Sequence, residues 1–225
     1  MKAAAAVLIL GLAASLGAQA TSPAAELTAT SANVGGPGTP VKIRILRWST
    51  DEERAPVVAA LTPAPARGVP ADAARGPNTA PTAGGRGAAG RGRGRGRGGP
   101  AAPLSPIAAL TAAIGRAPTI GYIWTTDVTG YSIKYAWHTP LPDGGDRIVL
   151  ATDRRLGAYS AAWTLPAGVA PTDYEFTLIE LRLGTKGSGE GKASLTAKVA
   201  VDGDAKTVAL ENYAGAPAIL QNVKR

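Results

Sequence analysis

The chain has no cysteine, one histidine, one methionine and one phenylalanine among 225 residues. Without cysteine there is no disulfide staple, no Cys-containing zinc site and no lipid attached through a cysteine beside a cleaved leader. The fold must rest on its own apolar core. The single histidine, His138, removes His-rich metal centres. A Ser-His-Asp triad would have to use it, and no serine stands in a G-x-S-x-G setting. His138 ends a candidate strand just before Thr139-Pro140, which suits a surface or edge position. No stretch reaches about 18 uninterrupted apolar residues, so a membrane-spanning helix is not indicated.

What is present begins with MKAAAAVLILGLAASLGAQA, one lysine followed by an apolar run that ends in small residues at Ala18 and Ala20. This pattern predicts a secretory signal peptide over residues 1–20, cleaved after Ala20, and an exported protein, periplasmic or secreted. An uncleaved N-terminal anchor is the alternative. Residues 21–225 are then one mainly β domain, consistent with their number.

The formal charge of +8 is concentrated. Between Pro63 and Leu104 stand Arg67, Arg75, Arg86, Arg91, Arg93, Arg95 and Arg97 against one acid, Asp72, while the remainder apart from Lys2 is near +1. This segment is mostly Pro, Gly, Ala and Arg, with no aromatic residue and Val69 as its one branched apolar residue before Leu104, too poor in apolar surface to offset the entropy of ordering. It reads as a disordered basic insertion within the domain. Its Arg86, Arg91, Arg93, Arg95 and Arg97 are candidates for contact with polyanions or anionic surfaces. A solvated linker is the simpler reading, because no aromatic interleaves the arginines, and sequence-specific nucleic-acid recognition is not implied.

On either side lie candidate folded elements. Glu26 to Val34 and Val41 to Trp48 read as strands, the second alternating Val41, Ile43 and Ile45 against Lys42 and Arg44. Ser49 or Thr50 can cap a helix beginning DEER that turns Val57, Val58 and Leu61 inward. PIAALTAAIG predicts a second helix on Ile107, Leu110 and Ile114, giving a helical hairpin split by the insertion. Further strands are expected at Thr119 to Thr125, Tyr131 to His138, Arg147 to Thr152, Phe176 to Leu183, Ala193 to Val201, Thr207 to Asn212 and Ala218 to Val223. DGGD, KGSGEG (Lys186 to Gly191) and DGD supply turns between them. Short strands with hairpin-sized gaps predict an antiparallel sandwich or strongly curved sheet with one or two short helices.

Alternation in GYSIKYAWH puts Tyr131, Ile133, Tyr135 and Trp137 on one face. Tyr122, Trp124, Tyr131, Tyr135 and Trp137 are candidate ligand-binding residues, part of an aromatic cluster that extends to Tyr159 and Trp163. A core built from few large residues would use them equally well. For catalysis, the weak candidates are Asp153, Glu180 and Glu211, which could serve as acid and base if they converged. Glu180 beside Arg182 on a solvated strand face explains that residue without chemistry. DGGD and DGD lack the terminal glutamate of a calcium loop, and GSGEG lacks the lysine of a P-loop. No metal or other cofactor is implied.

RWSTDEER (Arg47 to Arg54), GYIWT (Gly121 to Thr125), LPDGGDRIVLATDRR (Leu141 to Arg155), YEFTLIELRLGTKGSGEGK (Tyr174 to Lys192) and LENY (Leu210 to Tyr213) resemble a group of uncharacterised exported bacterial proteins. The resemblance implies export and carries no activity onto any residue. The expectation is a non-enzymatic exported domain that binds a ligand or an envelope component. A carboxylate hydrolase, or a loose adhesin acting through the Arg-Gly tract, is the alternative.

Overall fold

A computed structural model describes residues 22–32, 38–62, 104–125, 130–157, 163, 165, 170, 172–195 and 197–225. The expected leader, Arg86, Arg91, Arg93, Arg95, Arg97 and Tyr159 lie outside them. The elements run β1 (Ala25–Ser31), β2 (Pro40–Ile45), α1 (Asp51–Leu61), α2 (Pro106–Arg116), β3 (Gly121–Thr125), β4 (Tyr131–Pro140), β5 (Asp146–Thr152), β6 (Leu178–Leu183), β7 (Ser188–Ala193), β8 (Val199–Asp202), β9 (Thr207–Leu210) and β10 (Ala218–Lys224).

Eight of the strands close into an antiparallel barrel, in the order β1-β10-β7-β6-β5-β4-β3-β2, and β8 and β9 form a separate hairpin. The sandwich expectation is therefore corrected to a closed barrel. Closure comes from β1, which pairs with β2 on one side and β10 on the other, so no barrel strand is left as an open edge.

Strand periodicity builds two cores from one wall. Inward residues such as Leu27, Ile43, Ile45, Ile123, Ile148, Leu150, Ile179 and Leu181 fill the barrel. The opposite faces of β4, β5 and β6 contribute Tyr135, Val149, Ala151 and Leu178 to an outer core, completed by Val57 of α1, Leu110 and Ile114 of α2, and Val208 and Leu210 of β9. This is why β5 is buried almost from end to end.

The RWSTDEER block is local scaffolding. Thr50 caps α1 by accepting from the Glu53 N–H at 3.3 Å, and Glu53 accepts from the Thr50 N–H at 3.0 Å. Arg47 holds the same carboxylate in two hydrogen bonds of 2.8 and 2.7 Å. Ser49 extends the barrel wall, its N–H donating to the Ala136 carbonyl at 2.9 Å and its Oγ accepting from the Ala136 N–H at 3.1 Å. Ser105 caps α2 and Pro106 occupies its first turn.

The turn expected over Lys186 to Gly191 ends at Gly187, and from Ser188 onward the chain is strand β7. SGEGKA carries glycines because the neighbouring strands come too close for a side chain. A Cβ on Gly189 would run into the Arg182 carbonyl oxygen, and one on Gly191 would stand 2.5 Å from Leu181 Cδ2. Conversely, the strand expected over Ala193 to Val201 is divided, with β7 ending at Ala193 and β8 starting at Val199.

Candidate aromatic face and buried ion network

The aromatic residues do not share one face. Between Ile133 and Tyr135 the pairing of β4 with β5 shifts register. This irregularity reverses the side-chain phase along the strand. Tyr131 and Ile133 point into the barrel, whereas Tyr135 joins the outer core and Trp137 packs at its margin. Tyr131 accepts a hydrogen bond from the Gly157 N–H at 3.2 Å. The Tyr135 and Thr207 hydroxyls meet at 2.6 Å, and the Arg54 guanidinium lies 4.2 Å from the Trp137 ring centroid. Trp163 is in the barrel core. Four of the expected aromatics are thus occupied in packing.

Tyr122 and Trp124 are placed differently. They alternate outward from β3 with Gly121 and Ile123 facing in. Strand register builds two transverse rows across this flank. Lys224, Thr28, Lys42 and Trp124 form one, and Glu26, Arg44, Tyr122 and Ser132 the other. Glu26 and Arg44 form an exposed ion pair at 3.0 Å. A shallow groove of about 290 Å³ runs between Glu26, Thr28, Lys42, Arg44 and Trp124. Among the described residues, α1, α2 and the β8–β9 hairpin cover the other side of the barrel, and no described element covers this one. Lys42 and Arg44 were legible as the outward half of β2. Thr28 and Lys224 were not singled out: Thr28 joins the row through its pairing with Lys42, and Lys224 joins it only through the β1–β10 pairing that closes the barrel.

The candidate carboxylates occupy separate environments. Glu211 is exposed in the turn after β9. Asp153 accepts from the Ser132 N–H at 3.1 Å and pairs with Arg154 at 3.2 Å, tying the ends of β4 and β5. Glu180 is completely buried rather than solvated, because the β8–β9 hairpin lies over it. Its Oε1 accepts from Arg182 Nε at 3.0 Å and Nη2 at 2.8 Å, and Arg147 Nε stands 3.0 Å away. Its Oε2 accepts from the Leu210 N–H at 3.2 Å and Arg147 Nη2 at 3.4 Å. Arg147 continues to Asp202 at 2.5 Å.

Asp202 is held below the usual carboxylate range, first by the Ala205 N–H and then by Arg147. Tyr213 meets two cations, with Arg182 3.8 Å and Lys192 4.7 Å from its ring centroid. Every Glu180 oxygen is engaged by a cation or a backbone amide, an arrangement that locks the hairpin to the wall. A proton-transfer role would need one of those partners to leave.

His138 is exposed, with its ring 4.6 Å from that of Trp48. Among the described residues, no group of three or more histidine, cysteine or acidic side chains is arranged to hold a metal ion, and no helix is long and apolar enough to cross a membrane. No protein family profile matches the chain, and comparison with curated proteins and solved structures found no match.

Proposed function

We propose that the chain is an exported, non-enzymatic binding domain that meets a ligand or envelope component through the outer face of β1, β2 and β3. The observation that carries this reading is the outward placement of Tyr122 and Trp124 beside Lys42 and Arg44. Tyr131, Tyr135, Trp137 and Trp163, by contrast, are engaged in packing. Aromatic rings with polar tips bury contact area while keeping a hydrogen-bonding end, and they suit a recognition surface flanked by charge. The engagement of Glu180 by Arg147 and Arg182 favours binding over hydrolysis. The leader-like opening favours a ligand met outside the cytoplasm.

Co-sedimentation of the purified chain with an isolated cell-envelope fraction tests the reading. The parent protein is expected in the pellet, and Trp124→Ala and Tyr122→Ala are expected to remain in the supernatant with unchanged circular dichroism. Equal pelleting of both variants and the parent would remove this face as the contact surface.

A further inference from the structure

We infer that the face of β1, β2 and β3, extended by Lys224 of β10, takes an acidic polysaccharide, a chain of pyranose rings bearing carboxylates. This rests on the reading of that face as the binding surface and names the chemistry of its occupant.

Tyr122 and Trp124 are two residues apart on one strand, so their rings project on the same side about 7 Å apart along it. Flat aromatic faces accept the C–H faces of sugar rings. Trp124 ends the transverse Lys224–Thr28–Lys42 row along which an extended polymer would lie, and Tyr122 stands beside it in the neighbouring row. The surroundings supply both donors and acceptors, as a polyhydroxylated ligand requires. Glu26 and Arg44 offer a carboxylate and a guanidinium side by side. Thr28 offers a hydroxyl in the same row as Lys42 and Trp124.

Charge narrows the class. Lys42 and Lys224 flank Thr28 on adjacent strands, both are exposed, and neither has an ion-pair partner among the described residues. Two unpaired ammonium groups in one row match a polymer whose negative charges are spaced by sugar rings. A nucleic-acid track carries a phosphate at every nucleotide and is met by cationic grooves. Here Glu26 stands on the face and neutralises Arg44. An insertion surface for lipid would present aliphatic side chains. The outward positions of β1, β2 and β3 hold no leucine, isoleucine or valine.

Affinity electrophoresis of the purified full chain through polygalacturonate, with a neutral β-glucan as counterpart, tests the inference. A single-stranded oligothymidylate and phosphatidylglycerol vesicles, tested by co-sedimentation, complete the probe set. Polygalacturonate is expected to retard the parent protein. Trp124→Ala should weaken that binding at least tenfold, and Lys42→Gln with Lys224→Gln at least threefold, with a shallower salt dependence. Any contribution from the arginine tract survives all these substitutions and is thereby separated. Equal retardation by the neutral glucan, unmoved by the lysine changes, would overturn the acidic class while leaving the face as the site. Preferred binding of oligonucleotide or vesicles, lost in Trp124→Ala, would overturn the polysaccharide assignment on the same face. Polygalacturonate binding undiminished by Trp124→Ala and Tyr122→Ala would overturn both this inference and the reading beneath it. Absence of polygalacturonate binding overturns this inference alone, because envelope co-sedimentation tests the face independently.

Discussion

The Tyr135 phenol and the Thr207 hydroxyl, 72 positions apart, share a buried hydrogen bond of 2.6 Å that joins the barrel wall to the β8–β9 hairpin. Tyr135→Phe leaves the Thr207 hydroxyl buried without that partner, a loss of about 1–3 kcal/mol. Urea unfolding of Tyr135→Phe, Thr207→Val and the double variant checks this. The double variant is expected to be less destabilised than the two single changes together, because it removes both polar ends. Strict additivity would show the two hydroxyls to be energetically independent.

Glu180→Gln keeps the shape and removes the charge that faces Arg147 and Arg182. Breaking a buried pair from one side costs about 3–5 kcal/mol where the remaining charge is left uncompensated. Arg147 keeps Asp202 and the Arg182 side chain is exposed, so a loss at or below the lower end of that range is expected. The expected result is a lower urea midpoint together with early loss of protection at the Leu210 amide, which donates to Glu180. Hydrogen exchange reads that local effect directly. A midpoint equal to the parent's would mean that the network contributes no net stability.

Gly189→Ala and Gly203→Ala make a matched pair. At Gly203 an added methyl meets nothing within 4 Å, whereas at Gly189 it meets the backbone of β6. Overpacking against backbone is expected to cost about 1–3 kcal/mol, and the exposed change to stay within about 0.5 kcal/mol. Thermal melting of the two variants decides the matter.

Stability is expected to fall at both ends of the pH scale. Burial pushes Tyr135 up to about 12, against an ordinary value of 10.0. Burial, followed by the Glu190 charge, also raises Tyr213. A raised phenol contributes stability that is full below pH 10 and lost as pH climbs through the folded value, so the melting temperature should drop between about pH 10 and 12. Tyr135→Phe should flatten that slope. Asp202 is displaced downward, so its contribution is full above the ordinary carboxylate range and disappears as pH falls through the lower folded value. Asp202→Asn should flatten the acid limb below about pH 4.

Much of the fold is legible locally. The Thr50 cap, the helical faces at Val57, Leu110 and Ile114, and the DGGD turn all follow from neighbours in sequence. Features set by distant strands are not. The glycines of β7 look like a turn until the Arg182 backbone and Leu181 side chain are brought against them. The bulge at Ile133–Tyr135 leaves no mark in an alternating string, yet it separates Tyr131 from Tyr135. Glu180 reads as solvated because the hairpin that buries it arrives later in the chain. At the candidate face, composition pointed to Tyr122 and Trp124, but only register shows that Lys42 stands beside Trp124 and Lys224 beside Thr28.

That last adjacency gives the barrel a seam. Thr28 belongs to its first strand and Lys224 to its last, so the join is made between the two most distant staves of the wall. Pairings of such long sequence separation are slow to form. Until β10 docks, β1 and β7 each present an unpaired edge open to another chain. The proposed polysaccharide row crosses this seam. A chain that lacks β10 therefore has an unsealed wall and a row ending at Thr28, so the complete recognition surface is displayed only by a molecule whose assembly is finished.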